Sequence, residues 1–356
     1  MSQQCMGADT IVMTSQSEKQ GLKGLLAGVL ALLGLGIVAA GAWFVLGPGA
    51  GTGPEEADAA STHQSTKATP AHAIEAALGA ARSYQASEEF AKAEAVLRAA
   101  VEEHVDDQAL RLAYAEVLLN LEQAADAYEQ YEAALAIGPQ DAAIEFQAGT
   151  LASSIGKPER ALEHFSMARA AEPGSAEIAL YLGVTQHRLG MVDEAKVSLL
   201  AAVKLDDEEP VAPAVLAQIA LDENEPDLAL RYIRRSREID PTQLAHRILE
   251  ARILRRLNKP EEALTLMLAL PKEQLHEPVV LEICSGCMGL LGRPADAAAL
   301  YEEALAAQPT NADMAFQAAQ WHERAGDTEA ALAKAKMAQM LGHELAGKMA
   351  ERLSGG

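Results

Sequence analysis

GKPERAL at 156–162, NEPDLAL at 224–230, NKPEEAL at 258–264, GRPADAA at 292–298 and GDTEAAL at 326–332 are one phrase written five times. Their starts lie 68, 34, 34 and 34 residues apart, and the wide gap holds a further copy, GMVDEAK, at 190–196. Stepping outward by 34 gives eight windows without insertion: 74–107, 108–141, 142–175, 176–209, 210–243, 244–277, 278–311 and 312–345. A fixed period of this length marks a repeat array.

Each phrase reads as the turn between two antiparallel helices. Gly156, Gly190, Gly292 and Gly326, or Asn224 and Asn258, are residue types that accept left-handed backbone at a helix C-terminus. Pro158, Pro226, Pro260 and Pro294 follow two residues later and open a second helix, where a missing N–H costs nothing. Three residues on, all eight windows carry alanine: Ala93, Ala127, Ala161, Ala195, Ala229, Ala263, Ala297 and Ala331. A small side chain there lets paired helices approach closely. Pro139, Pro173, Pro241 and Pro309 then stop the second helix.

Composition agrees. Hydrophobic residues make up 49% of the 356-residue chain but aromatics only 4%, so the apolar content is mainly Ala and Leu. Both lose little rotamer entropy in a helix, which argues against an all-β domain or an aromatic-rich pocket enzyme. Ala-rich units this small bury their apolar faces only by stacking on neighbours. A polar end is then needed, and residues 346–356 are expected to form a C-terminal cap and tail with Lys348, Glu351 and Arg352 facing water.

The pattern resembles the tetratricopeptide repeat (TPR), whose signature is W-x₂-L-G-x₂-Y, A-x₃-F and a terminal Pro. Window 142–175 carries Gly149, Ala161, Phe165, Ala168 and Pro173. Window 108–141 has Ala127, Tyr131, Ala134 and Pro139, and window 278–311 has Ala297, Tyr301, Ala304 and Pro309. Window 176–209 shows Leu182, Gly183, Ala195 and Ala202, while the signature tryptophan is absent throughout. The resemblance covers about 272 of 356 residues. It implies an all-α fold: a right-handed α-solenoid of about eight helix-turn-helix repeats over 74–345, binding extended peptides or helices in a concave groove lined by the first helices. By that resemblance the groove positions include Phe146, Thr150, Leu180, His187, Arg188, Gln218, Arg252, Arg255, Arg256, Phe316 and Gln320. They do not reproduce the Lys/Asn carboxylate clamp of chaperone-binding members.

Upstream of the array, Gly24–Leu46 reads GLLAGVLALLGLGIVAAGAWFVL with no charge. As a helix its 23 residues would reach about 35 Å, enough for a hydrocarbon core of ~30 Å, so one transmembrane helix is expected ahead of the solenoid. Trp43 and Phe44 would sit at headgroup level. A cleaved signal peptide ending at Ala40-Gly41-Ala42 is the rival, opposed by the long polar leader 1–23. Lys19 and Lys23 precede the run, and the next basic residue is Lys67. This places the N-terminus in the cytoplasm of an inner (plasma) membrane and the repeats outside, in the periplasm, with a cytoplasmic repeat domain as the alternative. Residues 47–73, rich in Gly, Pro, Ser, Thr and Ala, read as a disordered linker.

The formal charge of −22 repels nucleic acid. Against it, residues 231–259 hold Arg231, Arg234, Arg235, Arg237, Arg247, Arg252, Arg255, Arg256 and Lys259 with only Glu238, Asp240 and Glu250, a net +6. Arg252, Arg255 and Arg256 share one helix face and fall on groove positions. Guanidinium forks suit carboxylates, which points to a protein partner with an acidic segment; the bland reading is a surface laced by ion pairs. Cys284 and Cys287 form a C-x-x-C, either core-filling residues or a redox pair. No nucleophile–base pair, metal cluster or nucleotide fingerprint is present, so neither enzyme activity nor a cofactor is expected. The function that follows is a membrane-anchored scaffold for protein partners, with the layout of envelope-assembly or translocation proteins. A self-assembling oligomeric scaffold is the alternative, and a thiol-redox protein a further one.

Overall fold

The computed structural model describes residues 69–355, which fall into two compact units, 69–206 and 207–355. The leader 1–23, the apolar run 24–46 and nearly all of the linker lie outside the described residues. Among the described residues there are 18 helices and no strand, and no helix is long and apolar enough to cross a membrane.

The first unit holds four helix pairs: α1 (Pro70–Ala86) with α2 (Phe90–Glu103), α3 (Gln108–Asn120) with α4 (Ala124–Ile137), α5 (Ala142–Ser154) with α6 (Pro158–Ala171), and α7 (Ala176–Arg188) with α8 (Val192–Leu205). The second opens with α9 (Val211–Asp222), α10 (Pro226–Ile239), α11 (Leu244–Arg256), α12 (Pro260–Leu268) and the four-residue α13 (Lys272–Leu275). It continues through α14 (Pro278–Leu290), α15 (Pro294–Ala307), α16 (Ala312–Arg324), α17 (Thr328–Met340) and the cap α18 (Ala346–Ser354).

Two boundaries differ from the reading of the sequence. α1 begins at Pro70, inside the stretch assigned to the linker, because proline at the first helical position fits its fixed φ. The second helix of window 244–277 stops after Leu268 because Pro271 has no N–H to continue it, and the extra turn α13 fills the gap.

The inter-helix turn is the same object eight times. Gly156, Gly190, Gly292, Gly326, Asn224 and Asn258 all have positive φ, from 56° to 81°. So do Glu88 (58°) and Glu122 (60°), which occupy the same place in the first two windows. Each turn closes with the N–H of the following residue bonding back five positions, as from Lys157 to the Ala152 carbonyl (2.8 Å) and from Asp327 to that of His322 (3.0 Å). All eight repeated alanines are fully buried, at 0% exposure. A second small position lies in the first helix of two repeats. A Cβ on Gly149 would meet the Phe165 ring at 2.7 Å, and one on Gly183 would meet Leu199 at the same distance. The period of 34 is thus a packing period.

Several buried polar groups of the first unit are linked in one network. His164 on α6 bonds Glu145 of α5 through Nδ1 (2.7 Å) and Glu132 of α4 through Nε2 (2.7 Å). Glu132 also accepts from Arg160 at 2.7 and 2.8 Å and from Tyr128 at 2.5 Å. Burial pushes its pKa up, but the bonds from Tyr128, Arg160 and His164 outweigh that and hold Glu132 below the usual carboxylate range.

Candidate partner-binding face

The nine cations of 231–259 divide by helix. On the second helix α10, Arg234 and Arg237 converge on Glu250 (3.1 and 2.5 Å), a carboxylate only 2% exposed on α11. Arg234 also reaches Glu262, Arg235 pairs with Asp207 and Glu238, and Lys259 pairs with Glu262. Arg247 bonds the Pro241 carbonyl. This part of the strip is ion-pair lacing, as the bland reading has it. Glu250 stands where most other windows carry Leu, Ala or Cys, and that substitution was the signal in the sequence for a buried acid with two arginine partners.

The first-helix arginines of α11 differ. Arg252 is half-buried and engaged with neighbouring groups. Among the described residues, Arg255, half-buried, and Arg256, exposed, meet no carboxylate within ion-pairing distance and make no side-chain hydrogen bond. Arg255 lies flat over the next first helix: its Cζ and both terminal nitrogens are 3.7–3.8 Å from where a side chain of Gly286 would sit.

Further along the same face, a Cβ on Gly289 would come within 2.7 Å of the Trp321 indole. A second cation lies there, with the Arg324 guanidinium 4.4 Å from the Trp321 ring centroid. Phe316, Gln320, Glu323 and Arg324 of α16 line a recess of about 480 Å³ with Leu345, Lys348, Met349 and Arg352. Glu323 is neutralised by Arg352 (2.9 Å), whereas Arg324 and Lys348 have no acidic partner among the described residues.

Other expected groove residues are used for packing. Phe146 is 8% exposed and set against Phe165 and Tyr181, with ring centroids at 5.7 and 5.0 Å. Leu180 and Gln218 are each 5% exposed, and Gln218 donates to Asp222 (2.9 Å). Phe316 stacks on His343 at 4.0 Å and forms the floor of the recess rather than its rim. Thr150 turns its hydroxyl back to the Gln147 carbonyl (2.8 Å). His187 is half-buried, Gln320 half-buried and Arg188 exposed. Burial wins at Phe146, Leu180, Gln218 and Phe316, whereas Arg188 stays exposed.

Cys284 and Cys287 are free thiols at 0% exposure in mid-helix α14. Burial and the neighbouring Cys287 push Cys284 up to about 12, and burial likewise raises Cys287 despite the nearby Arg255. Both are therefore held as protonated, core-filling groups. Among the described residues no group of three or more His, Cys, Asp or Glu side chains is placed to hold a metal.

Residues 78–142 and 146–210 match the family profile described as tetratricopeptide repeat, and 219–340 match the one described as Psidin, N-terminal TPR repeats region. The chain is built of tetratricopeptide repeats. A tetratricopeptide repeat protein from Parabacteroides merdae ATCC 43184 is similar in structure, with TM-score 0.50 and 15% identity over 69% of this chain and 98% of that one. Also similar are YrrB, described as a TPR protein with an unusual peptide-binding site (TM-score 0.45, 19% identity, 48% and 88% covered), and pilF of Pseudomonas aeruginosa (0.48, 18%, 61% and 99%). The likeness to the Parabacteroides merdae protein speaks to the fold. No curated protein matches the chain in sequence.

Proposed function

We propose that this TPR scaffold captures a protein partner through an acidic segment laid along the first-helix face of residues 207–355. One observation carries the reading: among the described residues, Arg234, Arg235 and Arg237 of α10 are taken up by Glu250, Glu262, Asp207 and Glu238, while Arg255 and Arg256 of α11 are left without carboxylates. In a chain of charge −22, unpaired cations grouped on one face attract an anionic partner locally and repel it elsewhere, which fixes its register.

The uncharged run 24–46 completes the proposal as a single-pass anchor in an inner membrane, N-terminus cytoplasmic and repeats periplasmic. Tethering would raise the scaffold's effective concentration beside membrane complexes such as those of envelope assembly or translocation. The test is crosslinking and pulldown of the full chain from its own membranes, wild type against Arg255→Glu/Arg256→Glu. Loss of the crosslinked partners is expected; an unchanged set overturns the reading. Protease access in intact cells decides the side of the membrane.

A further inference from the structure

The helix pair α16 and α17 is followed by the nine-residue α18, which buries Ala346, Met349 and Ala350. So short a cap, packed largely through small side chains, leaves part of α16 uncovered. Phe316, Gln320, Glu323 and Arg324 lie at i, i+4, i+7 and i+8 of α16, which is one helix face. Leu345, Lys348, Met349 and Arg352 lie at i, i+3, i+4 and i+7 along α18, again one face. The recess of about 480 Å³ is the gap between these two faces.

Its lining combines two chemistries. Phe316 and Met349 are buried and form an apolar floor, and Leu345, 55% exposed, leaves apolar surface in water beside them. The charged part holds three bases and one acid, in a chain whose total is −22. Glu323 is taken by Arg352, and the Arg324 guanidinium rests on the Trp321 ring. Neither Arg324 nor Lys348 has an acidic partner among the described residues. An acid alone would answer these two cations and leave Leu345 wet. An apolar group alone would cover the floor and desolvate the cations without a counter-charge, which is unfavourable.

We infer that this recess takes one large apolar side chain, of leucine or phenylalanine size, flanked by carboxylates within an acidic partner segment. The apolar group covers Phe316, Leu345 and Met349, and the flanking acids meet Arg324 and Lys348. An apolar anchor seated in a pocket carries a disproportionate share of binding energy. The inference rests on the proposed acidic-segment reading and adds to it the residue that the segment carries and the place where that residue docks.

The experiment uses the full chain in detergent and fluorescent peptides blocked at both ends, read by anisotropy. One peptide has a single phenylalanine between pairs of acids in a Gly/Ser background. The second has alanine for the phenylalanine, and the third keeps the phenylalanine but has Gln for the acids. The first should bind at least about tenfold more tightly than either other. Leu345→Ser, at an exposed position, should cut the preference for phenylalanine, and Lys348→Glu the preference for acids, with circular dichroism confirming the fold. A photoreactive benzoyl-phenylalanine at the apolar position should crosslink to Leu345 or Met349. Equal binding of the phenylalanine and alanine peptides that is still lost in Arg255→Glu/Arg256→Glu overturns the recess and leaves the proposed function standing. Binding absent from all three peptides, or insensitive to both Arg255→Glu/Arg256→Glu and Lys348→Glu, overturns the two together. A crosslink outside α16 and α18 overturns the site. A peptide whose one carboxylate is a free C-terminus, binding as tightly as the first, overturns the internal acidic segment. Self-association of the chain that Leu345→Ser abolishes overturns the choice of a partner peptide.

Discussion

Replacing His164 with leucine should be among the most damaging single changes in the 69–206 unit. Glu145 is 2% exposed, and His164, at 2.7 Å, is its one hydrogen-bonding partner among the described residues. Glu132 has less to lose, because its side chain is 32% exposed and keeps both Arg160 bonds and the Tyr128 hydroxyl. The loss therefore falls on Glu145, a buried polar group left without its hydrogen-bond partner, which costs about 1–3 kcal/mol. A double change, Glu145→Leu/His164→Leu, removes both polar groups at nearly constant volume and should recover most of that, because replacing both partners of a buried hydrogen bond by apolar groups of similar shape is nearly neutral. Urea unfolding of the full chain and its variants, followed by far-ultraviolet circular dichroism, gives the three free-energy differences. A cost below about 1 kcal/mol for His164→Leu, or a double variant as unstable as the sum of the singles, would refute the reasoning.

Other outcomes follow from the packing. Gly149→Ala drives a methyl to 2.7 Å from the Phe165 ring and should cost about 1–3 kcal/mol, while Gly174→Ala, with nothing within 4 Å of the new Cβ, should leave the melting temperature unchanged; similar shifts for both would undo the account of the small positions. Glu122 stands at φ 60°, so Glu122→Gly should stabilise by about 0.5–1 kcal/mol in thermal melts, and destabilisation would show that its side chain matters more than its backbone. Cys284 and Cys287 should resist a thiol reagent in the native protein and react fully in urea. Because burial lifts Cys284 from 9.0 to about 12, the thiol form favours the fold at full strength below pH 9, and stability should decline as pH rises from there toward 12; a flat profile over that window would contradict the burial.

Much of the architecture was legible in the sequence, for a physical reason. Each repeat has the same two demands, a left-handed turn and a close helix crossing, and each demand is met by a residue type. Asn and Gly at the turn, Pro two residues on and Ala three further on recur visibly because few other side chains serve there. Glu88 and Glu122 escaped notice because glutamate rarely takes positive φ; the surrounding helix pair holds them there all the same. The break before α13 depended on one proline whose position in the window is not repeated.

The candidate face was legible only in part. A charge count along the chain found the basic stretch 231–259, but it gave every arginine in it the same standing. Which of them are free is decided by what lies one repeat away: Glu250 takes Arg234 and Arg237, whereas Gly286 lets Arg255 lie flat with nothing to bind. Arg324 and Lys348 lie outside the basic stretch and join the face only because α16 and the cap helix border one recess. Sequence alone determined the repeat, since local turn chemistry and side-chain size recur every 34 residues. Only the tertiary structure decided the ownership of charge, since an ion pair depends on distances between residues that the chain brings together from 13 to 28 positions apart.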